Sequence, residues 1–551
     1  MARGQQYLFH RRKMRATGLR AEFTPITTNP NTTMANTSLF RSLVGPKLPK
    51  TDIRNEPGAR AFAFGPKHAL AQYAVTGCLN STFYATAETQ LDQVLKLAGA
   101  VEPEFLAKTA IYCRQSGYMK DMPALLCASL SIVDHKLMAQ VFDRVIDDGK
   151  MLRNFVQILR SGAVGRKSLG SAPKRLVQRW FEQRSDDAVF RASVGQSPSL
   201  ADVIKMVHPR PANAQREALY GWLLGRPHRA DALPPLVKQF ELFKLRQSKV
   251  APDVPFQMLT ALDLGKAEWQ SIADNASWQA TRMNLNTFAR HGVFEDKSLV
   301  RRIAERLRSP ENVRKARCFP YQLLTAFQAT DRATPGKIRD ALQDAMEIAT
   351  GNVPQIDGNV FVCPDVSGSM HSPVTGRRAG STTATRCIDV AALVAAAVLR
   401  RNPSAEVVAF SDNVVPCNLN GRDSVMTNAQ KLASLPSGGT NCSAPLRHLN
   451  SGNAQGDLVI LVSDNMSWVD GHGGGRSTET MVQWNQFRSR NPKARLVCLD
   501  VQPYGSTQAA ERHDILNVGG FSDAVFEIVA AFAEDRLQPD HWVGAIEQIV
   551  L

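Results

Sequence analysis

Asp365-Val366-Ser367-Gly368-Ser369 is the stretch on which the fold turns. It follows the apolar run 359–363 after the single Pro364, so it reads as the loop at the end of a β-strand. One carboxylate and two hydroxyls on one tight loop are hard oxygen ligands that suit a small divalent cation such as magnesium. Two further pieces lie downstream. Gly438-Gly439-Thr440 supplies a hydroxyl on a Gly-flexed loop, and Asp464 ends the apolar run 458–463. Loops at the carboxyl ends of neighbouring strands are where an open α/β sheet collects its ligands. The candidate metal ligands are therefore Asp365, Ser367, Ser369, Thr440 and Asp464. The alternative is a vestigial loop whose hydroxyls and carboxylates bond only to backbone. No nucleophile–base pair stands nearby, so the expected role is binding and the chain is not expected to be an enzyme.

Around this loop the texture is that of an α/β domain. Strands are predicted at 359–363, 405–410, 457–463 and 494–500, with helices near 384–401, 424–434, 477–490 and 522–534. Strands separated by ten to fifteen helical residues imply a parallel sheet with right-handed crossovers. Upstream, from about 61 to 349, apolar residues recur at three- and four-residue spacing with Gly, Pro or Asp at the joints. Helices are predicted at 91–98, 103–115, 123–133, 137–146, 152–161, 173–184, 200–207, 213–224 and 234–242. Short paired helices over nearly three hundred residues suggest an α-solenoid of HEAT-like hairpins, with a compact helical array as the competing reading. The predicted domains are a basic arm over 1–49, a helical domain over 50–356 and an α/β domain over 357–551.

The 551 residues allow two or more domains with sizeable cores. No run of about eighteen apolar residues exists, so no membrane span is expected; the Ala-rich run 390–399 reads as a buried helix. Nine scattered cysteines without a C-x-x-C point to free, mostly buried thiols in a reducing cytoplasm.

Charge is unevenly shared. From Gly358 onward 15 basic face 18 acidic residues, a balance of −3, whereas the first 357 carry 51 against 32, or +19. A large basic excess points to a polyanion, nucleic acid first, against the blander reading of well-solvated arginine. The first twenty residues hold six Lys/Arg and no acid, which reads as an RNA-contacting arm or a transit peptide. Two stretches concentrate donors suited to phosphate. In 160–180, a loop with Arg166 and Lys167 leads into a helix on which Ser171 can cap and Pro173 fits the first turn. Lys174 with Gln178 and Arg175 with Arg179 form i, i+4 pairs on one polar face, which reads equally as a phosphate-binding or a solvated face. In 205–211, His208 ends a helix before Pro209, with Arg210 beyond; the imidazole is placed to bond RNA or simply a helix carbonyl.

The D-x-S-x-S loop with Thr440 and Asp464 resembles the metal-ion-dependent adhesion site of von Willebrand factor A domains. That resemblance implies that Ser367, Ser369 and Thr440 touch the metal, that Asp365 and Asp464 act directly or through water, and that an open position attracts an acidic group from a partner. Over a longer span, the order of a basic helical array, the 166–175 loop and helix, the His208-Pro209 helix end, the 315–321 segment, then DVSGSM, 408–412, 437–443 and 462–465 resembles the Ro autoantigen family in its bacterial form. The family joins a TROVE module to a von Willebrand factor A domain.

The likeness runs from about residue 50 to the C-terminus. It implies a monomeric ring of HEAT-like repeats closed by the A domain. Small noncoding Y RNA would bind the outer surface, single-stranded ends of misfolded RNA the hole, and an exoribonuclease such as polynucleotide phosphorylase would be a partner. It also implies that His208 contacts RNA and that Arg166, Lys167, Lys174, Arg175, Arg179 and Arg210 belong to the basic outer region. The Arg-rich start (1–33) and the Gly-rich insert 471–476 depart from the family pattern. The rival reading is an adhesion scaffold with a peptide-binding solenoid. A two-metal nuclease is disfavoured because Ser/Thr ligands leave no second carboxylate cluster.

Overall fold

The computed structural model describes residues 48–551 except 77–78, 317, 319, 354, 378–384, 470–475, 521 and 538–540. Both the basic arm before residue 48 and most of the Gly-rich insert lie outside the described residues.

From Pro66–Thr76 to Gly336–Ala349 helix follows helix. Several predicted bounds coincide with the observed ones, as in Pro103–Gln115 and Leu200–Val207. The Leu200–Val207 helix opens with a reciprocal capping box between Ser199 and Asp202 and closes on His208 in the left-handed conformation, φ 51°. Its Leu200, Val203, Ile204 and Val207 face the core.

The second half is a five-stranded sheet in the order β4-β3-β5-β6-β8, parallel throughout. Its strands are β3 (Val360–Pro364), β4 (Glu406–Val407), β5 (Leu458–Ser463), β6 (Arg495–Asp500) and β8 (Ile515–Gly519). β3, β5 and β8 are buried along their whole length, as expected for strands covered by helices on both faces. The Ala-rich helix Cys387–Arg401 is buried through Leu399, its small side chains letting it lie close against the sheet. The chain leaves β3 toward β4 on one side and returns to β5 on the other, so the strand order reverses at β3. A reversal of this kind opens the crevice in which such sheets bind ligands.

Three features depart from the sequence expectation. The strand predicted at 405–410 is regular only over Glu406–Val407, although Val408 and Phe410 still donate to the carbonyls of Val362 and Pro364 (2.9 and 3.1 Å). β8 and the helix Ala444–Ser451 had no prediction: the first is interrupted by Asn517, the second is only two turns long. A small separate sheet pairs β1 (Ile53–Arg54) and β2 (Arg60–Ala63) with β7 (Ser506–Thr507), so the first described residues join the α/β half rather than the helical array.

Both ends of the array rest on the α/β domain. At the first end, the Gln72 amide donates to buried Asp500, and the Lys67 ammonium pairs with Glu547 at 2.6 Å. A Cβ on Gly519 would come within 2.5 Å of Thr76, so only glycine allows this approach. At the last end, the Val425 N–H donates to Glu347 at 2.8 Å and Arg400 pairs with the same carboxylate at 3.1 Å.

Among the described residues no helix is long and apolar enough to cross a membrane, and the eight cysteines are free thiols, seven of them buried.

Candidate metal centre and basic face

The parallel register of β3 and β5, with Pro364 opposite Val462, brings the ends of the two strands together. The Asp365 N–H donates to the Val462 carbonyl (2.9 Å), and the Ser463 hydroxyl donates to Asp365 Oδ2 at 2.5 Å. Asp365 Oδ1 accepts from the Ser367 N–H at 2.8 Å, which curls the loop and leaves the Ser367 and Ser369 hydroxyls 3.3 Å apart. The loop with Thr440 is held against this one by the Gly368 N–H donating to the Gly438 carbonyl (2.9 Å). All five predicted ligands, Asp365, Ser367, Ser369, Thr440 and Asp464, are buried.

The electrostatics of this cluster are unbalanced. Burial first, and the charge of Asp464 second, push the Asp365 carboxyl up to about 7. Asp464 is likewise raised, by burial. Its Oδ2 is buried without a hydrogen-bond partner among the described residues. An orphan carboxylate oxygen of this kind costs about 1–3 kcal/mol unless something fills the place of water. Two carboxylates and three hydroxyls buried on adjoining loops are a donor set that suits a small divalent cation bound by oxygen. Among the described residues there is no cluster of three His, Cys, Asp or Glu side chains that could hold a metal, so the hydroxyls are essential to any such site.

Three supporting residues escaped the sequence reading. Asp412 accepts from the Gly439 N–H at 2.7 Å and braces the loop that carries Thr440. A Cβ at Gly438 or Gly439 would sit 2.3 or 2.5 Å from its carboxylate, so both glycines are required. Asp500, at the end of β6, accepts from Asn465 (2.8 Å) beside Asp464, and burial raises it well above the usual carboxylate range. A carboxylate ending a predicted strand was the available signal for Asp500. Tyr84, from the helical half, stands near Asp464 and Ser369, and burial pushes its hydroxyl up to about 12. Nothing local in the sequence points to it.

The basic face lies on the Ser171–Glu182 and Leu200–Val207 helices and the loop before them. Gly170, with φ 71°, is the residue preceding the first of these helices, and Ser171 makes no capping bond, contrary to the predicted cap. The uniform polar face predicted on this helix also divides. Gln178 turns inward to donate to the Val207 carbonyl (2.6 Å). Arg179 donates to the Ala139 carbonyl (3.1 Å) and pairs with Asp143 at 2.9 Å. Arg166 likewise donates to the Ser131 carbonyl (3.1 Å). By contrast the side chains of Lys167, Lys174, Arg175, His208 and Arg210 make no hydrogen bond or ion pair among the described residues, and all but half-buried Lys174 are exposed. The helix carbonyl that could have claimed His208 does not. The Gln178–Val207 bond ties these residues together, since it joins the helix of Lys174 to the residue before His208.

A helical array followed by a doubly wound domain with an adhesion-type oxygen cluster defines the class: an array coupled to a von Willebrand factor A domain. The Ro60 vWA domain family model matches residues 359–533. RNA-binding protein RO60 of Deinococcus radiodurans is 26% identical over 531 residues, covering 89% of this chain and 97% of that protein. RNA-binding protein RO60 of Caenorhabditis elegans is 27% identical over 286 residues, 49% of this chain and 42% of that one. The crystal structure of the Deinococcus radiodurans Ro (RSR) protein superposes with a TM-score of 0.59 at 22% identity, covering 86% of this chain and 100% of that one. Residues 359–533 thus match the Ro60 vWA domain, and over most of its length the chain is similar to a Ro protein.

Proposed function

We propose that this protein is a non-catalytic RNA-binding scaffold. The observation that carries the reading is the set of unpaired donors, Lys167, Lys174, Arg175, His208 and Arg210, gathered around the ends of two packed helices. Donors that the protein leaves unpaired are free for phosphate oxygens, and such contacts position a nucleic acid without reading its sequence. The names of the two relatives agree with this.

In the fuller form of the reading, the face holds a small structured Y-like RNA. The array forms a monomeric ring closed through the A domain, supported by the seating of both its ends on that domain. Single-stranded ends of misfolded RNA enter the hole, where width selects free ends over duplex. A cytoplasmic exoribonuclease such as polynucleotide phosphorylase would act on RNA the scaffold presents, giving a role in RNA quality control. Asp365, Ser367, Ser369, Thr440 and Asp464 would hold magnesium, which supplies a Lewis-acidic point for an oxygen anion. Asp412 braces the loop that carries Thr440.

The test is purification from the native host in low salt, followed by sequencing of nuclease-protected RNA. One abundant small structured RNA is the expected cargo. A folded protein without RNA above background would overturn the reading in favour of an adhesion scaffold.

A further inference from the structure

The first helix of the array reaches the oxygen cluster through a file of buried hydrogen bonds. Gln72, on the Pro66–Thr76 helix, donates its amide to Asp500 Oδ2. Asp500 Oδ1 accepts from the Asn465 side chain at 2.8 Å. The Asn465 N–H donates to the Ser463 hydroxyl oxygen (3.0 Å), and the Ser463 hydroxyl donates to Asp365 Oδ2 (2.5 Å). Gln72, Asp500, Asn465, Ser463 and Asp365 are each at most 3% exposed, so bulk water competes for none of these links.

Each link constrains the next. A hydroxyl has one proton, and with the Asn465 N–H on its oxygen the Ser463 proton is aimed at Asp365. Asn465 is a non-glycine residue in the left-handed conformation, φ 62°, which persists only where its surroundings hold it. Its side-chain amide uses both hydrogens for that hold, one on Asp500 and one on Thr507 Oγ1 (3.2 Å). At the far end of the file Gly519 admits Gln72, since a Cβ there would come within 2.6 Å of the Gln72 amide oxygen. That oxygen has no hydrogen-bond partner among the described residues, so the Gln72 side chain is anchored through Asp500.

We propose that Gln72 and Asp500 are positioning residues for the metal cluster, so that seating the first helix of the array raises the affinity of the A domain for its ion. The inference rests on the metal reading above and adds the array to it. Linkage makes the effect reciprocal: an ion that binds more tightly with Gln72 in place holds the Pro66–Thr76 helix more tightly by the same factor.

The experiment titrates the full chain with manganese well below its melting temperature and follows loss of the free-ion electron spin resonance signal. Gln72→Met keeps the bulk of the side chain and removes its amide; it is expected to weaken manganese binding about fivefold, the scale of one hydrogen bond. Asp500→Asn offers a carbonyl to Asn465 and an amide to the unused Gln72 oxygen, and should stay within about twofold of the unaltered chain. Amide exchange supplies the readout that a merely structural role would not move. Saturating manganese should slow exchange in the Pro66–Thr76 helix of the unaltered chain by about threefold or more, with the Leu200–Val207 helix as the reference that does not change. In Gln72→Met that protection should vanish. Unchanged manganese affinity in folded Gln72→Met overturns the proposal, as does protection confined to the loops at 365–369 and 464–466. An unaltered chain that binds no manganese overturns the metal reading itself, and is seen before any variant is made.

Discussion

The candidate metal centre and the basic face are built by opposite means. The first gathers five buried side chains from three loops, with backbone bonds fixing two of those loops against each other. The second leaves five polar side chains without a hydrogen bond or ion pair among the described residues. A pre-organised buried site is intolerant of any single loss, because each remaining charge is stranded. A surface of phosphate donors degrades by increments, since each contact adds a similar salt-dependent term. The two regions should therefore respond to mutation in different ways and independently of each other.

The largest break in that comparison comes from Asp365→Ala. Removal of the one carboxylate that bonds both Ser367 and Ser463 is expected to weaken manganese or magnesium binding by at least about a hundredfold, on the order of 3 kcal/mol. Affinity for structured RNA should stay within about twofold, as additivity between distant sites requires. Calorimetric metal titration and filter binding on the same preparation measure both. RNA binding that falls alongside, with the melting curve unchanged, would mean that the metal serves the RNA directly and that the regions are one site.

A smaller effect sharpens the other side. Lys174→Glu with Arg175→Glu should weaken RNA binding by about tenfold near 0.1 M salt and lower the slope of log affinity against log salt by about one to two. Arg179→Ala is the matched control. Its guanidinium is occupied by Asp143 and the Ala139 carbonyl, so RNA affinity should change little. The cost should appear instead as about 0.5 kcal/mol of stability, small because both partners of the ion pair are over a third exposed. Equal loss of RNA affinity in the two variants would erase the division seen on this helix.

How far each region was legible in the sequence follows from the same difference. Four of the five proposed ligands fall on loops that end apolar runs and Thr440 on a Gly-flexed loop, so strand periodicity and short spacing sufficed to single them out as candidates. Asp412, Asp500 and Tyr84 are brought there by sheet order and by the seam with the array, which no local window contains. On the basic face, residue type alone could not separate Lys174 and Arg175 from Gln178 and Arg179. Which cations stay free depends on the carbonyls that the packed helices happen to present. The array's helices were readable from their three- and four-residue spacing, whereas β1, β2 and β7, of two to four residues each, carry too little pattern to be seen before they pair.

The smallest effect separates the regions by pH. In the metal-free fold Asp365 is raised to about 7, against about 3.9 for an unfolded aspartate. Between those values the folded state binds more protons than the unfolded one, so this group lowers stability as pH rises from 4 to 7 and costs its full amount above. A divalent ion binds the deprotonated pair and removes that cost. Magnesium should therefore raise the melting temperature by a few degrees more at pH 8 than at pH 6, as metal binding in competition with protons demands. Lys174 and Arg175 offer no carboxylate pair for a divalent ion to relieve, so phosphate contacts there bring no matching trend. A magnesium shift that is equal at the two pH values, or larger at pH 6, would show that the carboxylate pair is not what the ion relieves. The Asp464 oxygen left without a partner would then need another explanation than a metal.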